Sequence, residues 1–280
     1  MKSFSDNHIN FLEGKANEIR KNIVRMIHIA KAGHPGGSLS AADFVTALYF
    51  HVMNVDPCNP QWEDRDRFVL SKGHTCPVMY AALAEKGYFD KGRLDSLRKF
   101  ESMLQGHPDM NKTPGVDMTA GSLGNGLSVG VGMALAAKWK KKTYKVYVVL
   151  GDGESQEGMV WEAAMAAAQF ELDNLVAIVD YNGLQINGWV NDIMGLNPLP
   201  EKWRAFNWAA IEIDGHNMRE ILNAFQWAEK MRGPAVIIAH TVKGKGVSFM
   251  ENEADWHGRA PNAEQMSCAM QELSNRGVQA

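Results

Sequence analysis

The sequence has few cysteines, no long hydrophobic run and no cluster of basic residues. Its three cysteines, Cys58, Cys76 and Cys268, are far apart and form no CxxC pair, which excludes a disulfide framework and a cysteine-based zinc site. The apolar runs have the length of strands, and residues 1–20 contain no apolar signal core, so we expect neither a membrane partner nor secretion. The net charge is −3 without a basic run, so we expect no nucleic-acid partner. These features predict a cytoplasmic protein.

Internal repeats, heptads and low-complexity linkers are also lacking, and what remains is an alternation of strand-like and helix-like segments. Apolar residues make up 45% of the 280-residue chain, enough to fill a sizeable core. Segments of the two kinds alternate from residue 64 to residue 240, which is typical of a doubly wound α/β fold. We therefore predict one domain over residues 1–280, with a mostly parallel sheet flanked by helices.

Two segments of this pattern are expected to lie outside regular structure. The run GHPGG at 33–37 predicts a loop, because proline and paired glycines interrupt helices. Ser40 is then expected to cap a helix over 41–53. The polar segment 184–199 is predicted to be a second loop.

The stretch 145–188 contains the clearest supersecondary pattern of the chain. An apolar β-branched run, Val146 to Leu150, turns through Gly151-Asp152-Gly153 into a helical segment, and a second apolar run ends shortly before Asn182. A strand, a helix and a strand in this order form a parallel βαβ unit. Asp152 and Asn182 therefore follow the carboxyl ends of two nearby strands, at the edge where open α/β sheets bind ligands.

The residue types at that edge favour a metal and a phosphate. One carboxylate, one amide oxygen and backbone carbonyls are ligands that suit Mg²⁺ or Ca²⁺. Gly151 and Gly153 allow a phosphate to approach the backbone, and the helix N-terminus after them favours an anion. The pattern predicts a metal-bridged diphosphate site. Gly-Asp-Gly alone is equally compatible with an ordinary strand-to-helix turn that has an acidic N-cap.

Nine motifs along the chain extend this interpretation. In order they are GHPGGSLSAAD (33–43), DRDRFVLSKGH (64–74), QGHP (105–108), TAGSLGNGLSVGVGMA (119–134), GDGESQEG (151–158), DYNGLQING (180–188), IDGHN (213–217), TVKGKGVSFME (241–251) and WHGRAPN (256–262). Together they resemble the diphosphate-binding domain of transketolase, a thiamine diphosphate enzyme, over nearly the whole chain. The spacing of 28 residues between Gly153 and Asn182 also matches the thiamine diphosphate motif.

The resemblance implies a role for individual residues. Mg²⁺ or Ca²⁺ would be held by Asp152, Asn182 and the carbonyl of Leu184. The diphosphate of the cofactor would be bound by His74, His257, Gly121 and Gly153. The thiazolium ring would pack against Leu123 and Ile186. Glu157 would lie beside the cofactor at a contact between subunits. The catalytic histidines would be His34, His107 and His257, which would bind sugar hydroxyls or move protons.

Four charged or imidazole residues of the motifs have simpler interpretations. Glu157 can equally be a carboxylate favoured near a helix N-terminus. His216 is interpreted as a cap of the helix that follows it. Lys243 and Lys245 are interpreted as a solvated loop surface, although both could lie near the diphosphate.

The same resemblance predicts a partner. In this family a second, pyrimidine-binding domain supplies a glutamate that contacts the cofactor, and no motif of that domain occurs in the sequence. The motif WHGRAPN resembles transketolases divided between two genes. We therefore predict the N-terminal subunit of a split transketolase, active as an α2β2 hetero-oligomer with a C-terminal transketolase subunit that carries the pyrimidine-binding domain.

The predicted reaction moves a two-carbon ketol (glycolaldehyde) unit from a ketose to an aldose, with sugar phosphates as substrates, for instance in the pentose phosphate pathway. Two alternatives stay open at this point. One is another thiamine diphosphate enzyme, such as a 1-deoxyxylulose-5-phosphate synthase or the first component of a 2-oxoacid dehydrogenase, and the other is a non-catalytic cofactor-binding subunit.

Overall fold

Five parallel strands form the central sheet of the structure, a computed structural model that describes residues 4–186 and 188–276. The strands lie in the order β1-β2-β3-β7-β6 and all run in the same direction. Their bounds are β1 Arg67–Leu70, β2 Val146–Gly151, β3 Leu175–Tyr181, β6 Ala209–Asp214 and β7 Ala235–His240, and a short antiparallel hairpin is formed by β4 Leu184–Gln185 and β5 Gly188–Trp189. The predicted parallel α/β architecture is confirmed.

Ten α-helices are distributed over the described chain. They are α1 Asp6–Ala30, α2 Pro35–Ser40, α3 Ala42–Ala47, α4 Cys76–Lys86, α5 Asn125–Trp139, α6 Gly158–Gln169, α7 Val190–Met194, α8 Leu199–Ala205, α9 Met218–Ala228 and α10 Ala263–Arg276. Within residues 4–186 and 188–276, none of the helices combines the length and the apolar character that crossing a membrane requires.

The sheet separates two hydrophobic cores. Tyr147 and Val149 of β2 contribute to the core that α1, α3, α4 and α9 cover. Val148, which alternates with them along the strand, contributes to the core under α5, α6 and α8. Because both faces are covered, the central strands β2 and β3 are apolar almost without interruption, as is typical of buried parallel strands.

Helix α5 approaches the sheet closely at two of its three glycines. A Cβ atom on Gly126 would be 2.3 Å from Ser71 Oγ, and one on Gly130 would be 2.5 Å from Val148 Cγ2. Both distances are shorter than side chains tolerate, so glycine is required at these two points. The close approach places the loop before α5 at the carboxyl end of β1.

The structure differs from the sequence prediction around residues 33–53. The segment GHPGG is not a loop throughout, because α2 begins at Pro35. Proline is tolerated at this first helical position, where its missing N–H would have no partner in any case. The predicted helix over 41–53 is divided into α3 and a π-helical turn, Leu48–Val52. Ser40 is not an N-cap: it is the last residue of α2.

The predicted loop over 184–199 was also wrong in part. It contains the hairpin β4–β5 and helix α7. Asn187, which belongs to the motif DYNGLQING, lies outside the described residues.

Candidate active site

A cleft of about 320 Å³ opens at the carboxyl ends of the strands. The sheet register explains its position: Gly151 at the end of β2 lies opposite Asp180 in β3, and Asp180 lies opposite Ala239 in β7. The loops after these strands therefore meet at one edge. The cleft is lined by His34, Gly37, Lys72, His74, Thr75, Gly121, Leu123, Gly151, Asp152, Gly153, Glu154, Asn182, Leu184, Gln185, Ile186, Lys243 and His257.

Asp152 is almost fully buried at the end of β2. Its Oδ1 accepts a hydrogen bond from the Gly153 N–H at 2.7 Å, and its Oδ2 accepts one from the Gly183 N–H at 2.6 Å. Burial, together with the negative charge of Asp180, raises the pKa of Asp152 to about 6. This environment favours cation binding by the carboxylate, because a cation would offset both the cost of burying the charge and the repulsion from Asp180.

Asn182 is fixed by two hydrogen bonds on opposite atoms of its amide. Its Nδ2 donates to Asp180 Oδ2 at 3.2 Å, and its Oδ1 accepts from the Leu184 N–H at 3.2 Å. The donor contact with a carboxylate determines which atom is oxygen, so Oδ1 is the atom that remains for a metal.

Asp180 connects this asparagine to three other segments of the chain. It is fully buried and also accepts hydrogen bonds from Lys72 Nζ, Ser40 Oγ and Thr241 Oγ1. Burial alone would raise the pKa of Asp180, but Lys72 and these hydrogen bonds hold it below its usual value. Sequence reasoning missed this residue, because its partners are distant along the chain.

The prediction that Lys243 belongs to a solvated loop was wrong. Lys243 is 2% exposed, and its Nζ donates to the Leu184 carbonyl oxygen at 2.9 Å. The same Nζ lies 3.1 Å from His257 Nδ1. Burial lowers the pKa of Lys243 to about 8. Lys243 is therefore a cleft residue, whereas Lys245 is not among those lining the cleft and remains half-buried in the loop.

Three of the predicted histidines meet inside the cleft. The ring centroids of His34, His74 and His257 are 5.0 to 5.4 Å apart in every pair. Burial, and then the positive charge of nearby side chains, lowers the pKa of His34 and His257 to about 4 and that of His74 to about 2. All three imidazoles are therefore neutral at neutral pH and carry both a donor and an acceptor nitrogen.

The hydrogen bonds around two of these rings differ. An ammonium can only donate, so His257 Nδ1 accepts from Lys243, and the ring hydrogen is on Nε2. His34 Nδ1 is buried and has no hydrogen-bond partner within the part of the chain that the structure describes. An unpaired buried nitrogen is energetically unfavourable, and a catalytic role is one of the explanations for keeping one.

His107, the fourth predicted histidine, is exposed and is not among the residues that line the cleft, but it lies beside the lining residue Gly121. A Cβ atom on Gly121 would be 3.8 Å from its ring. Its pKa is lowered by burial and by Arg98, whose guanidinium packs against Gly106, the residue before it. The predicted apolar residues Leu123 and Ile186 line the cleft and are 38% and 68% exposed, so their side chains present an open apolar wall.

Glu157, which we expected to bind the cofactor, does not line the cleft. Its side chain is exposed at the N-cap of α6 and makes no capping hydrogen bond. The neighbouring acid Glu154 occupies the cleft instead, where it accepts from Ser71 Oγ and from the N–H groups of Gly124 and Gly151. Both residues are acids in the same short motif. Glu154 lies within the 3-10 turn Gly153–Gln156, which directs its side chain into the cleft, whereas Glu157 follows that turn. A role for Glu157 at a subunit contact stays a prediction.

The sequence had suggested that His216 caps α9, and this prediction was wrong. The cap is Asn217, whose side chain accepts from the N–H groups of Arg219 and Glu220. His216 instead connects Asp43 Oδ2, at 2.7 Å from its Nδ1, with the Val242 N–H, at 2.8 Å from its Nε2.

The oxygen atoms of the cleft fit a hard divalent cation. Within residues 4–186 and 188–276, no three or more His, Cys, Asp and Glu side chains are grouped so that they could hold a metal. The predicted donors are of mixed type: the Asp152 carboxylate, the Asn182 amide oxygen and the Leu184 carbonyl, all of which line the same cleft. Mg²⁺ is commonly held by one or two carboxylates together with phosphate oxygens, so this set fits a metal that arrives with a diphosphate.

Comparisons with known proteins agree with this geometry. Residues 13–277 match the family described as "Transketolase, thiamine diphosphate binding domain". The chain is 47% identical over 266 residues to a subunit of the apulose-4-phosphate transketolase of Phocaeicola vulgatus, covering 95% of this chain and 94% of that protein. It is 48% identical over 268 residues to the 6-deoxy-6-sulfo-D-fructose transketolase subunit SqwG of a Clostridium species, covering 95% and 98%.

A solved structure supports the same assignment. The crystal structure of transketolase from Campylobacter jejuni superimposes with a TM-score of 0.89 at 33% identity, covering 94% of this chain and 42% of that one.

The parallel sheet and the oxygen- and histidine-lined cleft at its carboxyl edge define a thiamine diphosphate-binding α/β domain. The chain belongs to the transketolase family. The predicted enzyme class, a transferase of the transketolase type, is confirmed by these matches.

Proposed function

We propose that this chain is the cofactor-binding subunit of a transketolase that transfers a two-carbon ketol unit from a ketose to an aldose. The observation that carries the proposal is the meeting of Asp152, Asn182 and the neutral histidines in one cleft. When bound, thiamine diphosphate supplies the carbon nucleophile and the electron sink for this chemistry. The residues of the chain bind it, orient it, and hold or move protons.

In this proposal Mg²⁺ or Ca²⁺ is held by Asp152, by Asn182 Oδ1 and by the carbonyl of Leu184. The support is the chemistry of the donors, together with the burial of Asp152 and its raised pKa. Asp180 orients Asn182: it accepts a hydrogen bond from Asn182 Nδ2, which keeps Asn182 Oδ1 directed away from Asp180. Partners of this kind, behind a metal ligand, commonly determine its orientation.

The diphosphate is bound by His74, His257 and Lys243, with the backbone of Gly121 and Gly153. Neutral His257 offers Nε2–H as a donor, and the ammonium of Lys243 offers positive charge in a site of low dielectric constant, where a charge-assisted hydrogen bond is strong. The apolar side chains of Leu123 and Ile186 cover the aromatic part of the cofactor and exclude water from it.

His34 and His107 serve the sugar. His34 lines the cleft and His107 lies beside the lining residue Gly121, so in this proposal both bind hydroxyl groups and exchange protons with them. A neutral imidazole is suited to this role, because one nitrogen can accept a proton while the other donates.

The substrates proposed here are sugars with an anionic end, such as sugar phosphates. Two relatives are named for an apulose 4-phosphate and for a 6-deoxy-6-sulfo sugar, and both names contain an anionic group. The guanidinium of Arg98, beside Gly106 and His107, provides positive charge near the cleft. The pathway, whether the pentose phosphate pathway or a specialised sugar route, follows from the sugar that is used.

A partner subunit completes the site in this proposal. The chain acts as one cofactor-binding domain, and the partner contributes the pyrimidine-binding domain in an α2β2 assembly. The support is a set of exposed apolar side chains on α5, α6 and the segment beside the cleft: Leu123, Val129, Leu135, Met159, Met165, Ile186, Trp189, Ile193 and Met194. Helices α5 and α6 are in contact, and apolar side chains exposed together on neighbouring elements are typical of an interaction face. The three free cysteines accord with a cytoplasmic location.

The test is reconstitution. The chain is purified together with a candidate partner that carries a pyrimidine-binding domain, then supplied with thiamine diphosphate, Mg²⁺, a ketose phosphate and an aldose. Mass spectrometry should detect an acceptor lengthened by two carbons. Decarboxylation of pyruvate without this product would favour a different thiamine diphosphate enzyme, and turnover restored by no partner would favour a non-catalytic subunit.

A further inference from the structure

His216 lies outside the cleft, yet it holds the backbone of the residue next to Lys243. Its Nε2 accepts a hydrogen bond from the Val242 N–H at 2.8 Å. An amide can only donate, so Nε2 carries no hydrogen and the ring hydrogen is on Nδ1. Nδ1 then donates to Asp43 Oδ2 at 2.7 Å. Both nitrogens of this imidazole are therefore used, and its tautomer is determined by its two partners.

Asp43 is itself held in place. It is buried, and its two oxygens accept from Arg20 Nη1 at 2.9 Å and from Arg20 Nη2 at 2.5 Å. Burial alone would raise the pKa of Asp43, but Arg20 and His216 outweigh this effect and lower the pKa to about 2. A bidentate pair of this kind has a rigid geometry. The orientation of His216 is thus determined by helices α1 and α3.

The segment after β7 passes closely between its neighbours. Thr241 Oγ1 donates to Asp180, the Gly244 N–H donates to the Gly36 carbonyl at 3.0 Å, and the Asn252 N–H donates to the Lys243 carbonyl at 2.9 Å. A Cβ atom on Gly36 would be 2.9 Å from Lys243 Cγ. The stem of Lys243 therefore has little room, and a displacement of Val242 would move the ammonium at its far end.

We propose that His216 is a positioning residue, which acts through Val242 to hold the Lys243 ammonium in the cleft where the diphosphate binds. The inference rests on the proposed function only in that Lys243 contacts the diphosphate. It assigns to the motif IDGHN a part in cofactor binding, although the motif itself does not line the cleft. Removing the partners that orient metal ligands costs about 10–100-fold in affinity, and we expect a loss at the lower end of this range for a residue that orients Lys243.

The experiment is a double-mutant cycle on the full chain. Isothermal titration calorimetry measures the binding of thiamine diphosphate in the presence of Mg²⁺ to wild type, H216M, K243M and the double variant. Methionine has a similar length to histidine, is flexible and cannot accept the Val242 hydrogen bond effectively. We expect H216M to weaken binding about tenfold in the wild-type background and not at all in the K243M background. Equal weakening in both backgrounds, or none in either, would overturn the proposal.

Two further variants separate positioning from general stability. N217A removes the α9 cap next to His216, and we expect it to lower Tm by about 2–4 °C while the affinity stays that of wild type. H216Q retains a side-chain acceptor for the Val242 N–H, so it should recover most of the affinity that H216M loses. If N217A weakens binding as much as H216M does, or if H216Q binds as weakly as H216M, destabilisation explains the effect and the proposal fails.

If H216M does not fold, the wild-type protein and H216Q provide the test. A scalar coupling across the N–H···N hydrogen bond should connect the Val242 amide to His216 Nε2 in ¹⁵N NMR spectra, and its absence would refute the geometry. The small affinity loss in H216Q should vanish in the K243M background. None of these measurements involves turnover, so a complex that transfers no two-carbon unit would remove the proposed function and leave this inference standing.

Discussion

The ammonium of Lys243 donates a hydrogen bond to the carbonyl oxygen of Leu184, with 2.9 Å between Nζ and O. The same carbonyl is one of the three oxygens proposed to bind the metal. In that proposal, a cation of the protein lies beside a metal ligand, and Mg²⁺ and Lys243 would compete for this oxygen. Metal binding would release the ammonium for the diphosphate.

Lys243→Met should therefore change two affinities in opposite directions. Affinity for Mg²⁺ or Mn²⁺ alone should rise several-fold, because the competing donor and a like charge near Asp152 are removed. Affinity for thiamine diphosphate with Mg²⁺ should fall about tenfold, or about 1.4 kcal/mol, because an ammonium contact with the diphosphate is lost. Calorimetry with the metal alone and with the cofactor checks both. Affinities that move in the same direction would contradict the competition.

Asp152→Asn should abolish metal-dependent cofactor binding. The loss should exceed about 100-fold, because removing even an outer partner of a metal ligand costs about 10–100-fold in affinity. Calorimetry with thiamine diphosphate, with and without Mg²⁺, measures it. Asp192→Asn, on the exposed surface of α7, is the matched control and should bind as wild type does. A Mg²⁺-dependent affinity that survives in Asp152→Asn would remove this residue from the metal site.

His107→Ala should harm the use of the donor sugar while sparing the cofactor. The ring lies against Gly121, which lines the cleft, so kcat/KM for the ketose should fall about 10²–10⁴-fold if the ring both binds and exchanges protons. Thiamine diphosphate affinity should stay within about twofold of wild type. Steady-state kinetics of the reconstituted complex and calorimetry are the two measurements, with His51→Ala, on the π-helical turn, as the control. An unchanged kcat/KM would exclude a role with the substrate.

The free energy of unfolding should decrease as the pH falls below about 6.5. His34, His74 and His257 have lowered pKa values when folded, so below their ordinary pKa the unfolded chain binds more protons than the folded chain does. Their contribution to stability is complete above pH 6.5 and is lost progressively towards pH 4, and lower still for His74. Each group contributes at most about 1.4 kcal/mol per pH unit, and less where solvent reaches the ring.

Asp152 contributes to the pH dependence of stability with the opposite sign, because its pKa is raised to about 6 when folded. The informative quantity is therefore the difference between wild type and His74→Asn, measured by urea unfolding at pH 7.5, 6 and 5. We expect a shallower pH dependence in His74→Asn, while Asn217→Ala should lower stability by a similar amount at every pH. Parallel curves for wild type and His74→Asn would show that this ring stays protonated or exposed when folded.

Met165→Asp should prevent association with the partner subunit. Met165 is 54% exposed on α6, among the apolar side chains proposed to be covered, and a buried charge without a partner strongly opposes an interface. Light scattering after size-exclusion chromatography of the mixed subunits should show the assembly in wild type and free chains in the variant. Phe11→Asp places the same charge on α1 and should leave assembly intact. Equal effects of both substitutions would point to a different face.

Much of the site could be predicted because local patterns determine it. The apolar runs of β2 and β3 and the glycine turn after β2 indicated parallel strands, so Asp152 and Asn182 could be placed at one edge from the sequence alone. The histidine loops followed from the family motifs. Their meeting in one cleft is a property of the sheet register, which brings the ends of β1, β2, β3 and β7 to the same level.

The residues that were missed are charged groups whose environment depends on distant parts of the chain. Lys243 belongs to a segment rich in glycine and lysine, which is typical of a solvated loop, and only the hydrogen bonds from Thr241, Val242 and Gly244 fold it inwards. Asp180 is the second-last residue of the buried strand β3, and the cation that pairs with it, Lys72, is 108 positions away. Local periodicity contains no information about such pairs. Glu154 was also missed, because the local sequence does not show which acid at a helix entrance faces the cleft.

Helix α5 depends on the sheet beneath it. Its three glycines, Gly126, Gly130 and Gly132, each lower intrinsic helicity by about 1 kcal/mol relative to alanine, so the isolated peptide would be largely unstructured. Its helical state is acquired by docking on Ser71 and Val148, and the loop that contributes Gly121 and Leu123 to the cleft is anchored by the same docking. A change that loosens this docking would therefore displace the loop that lines the cofactor cleft.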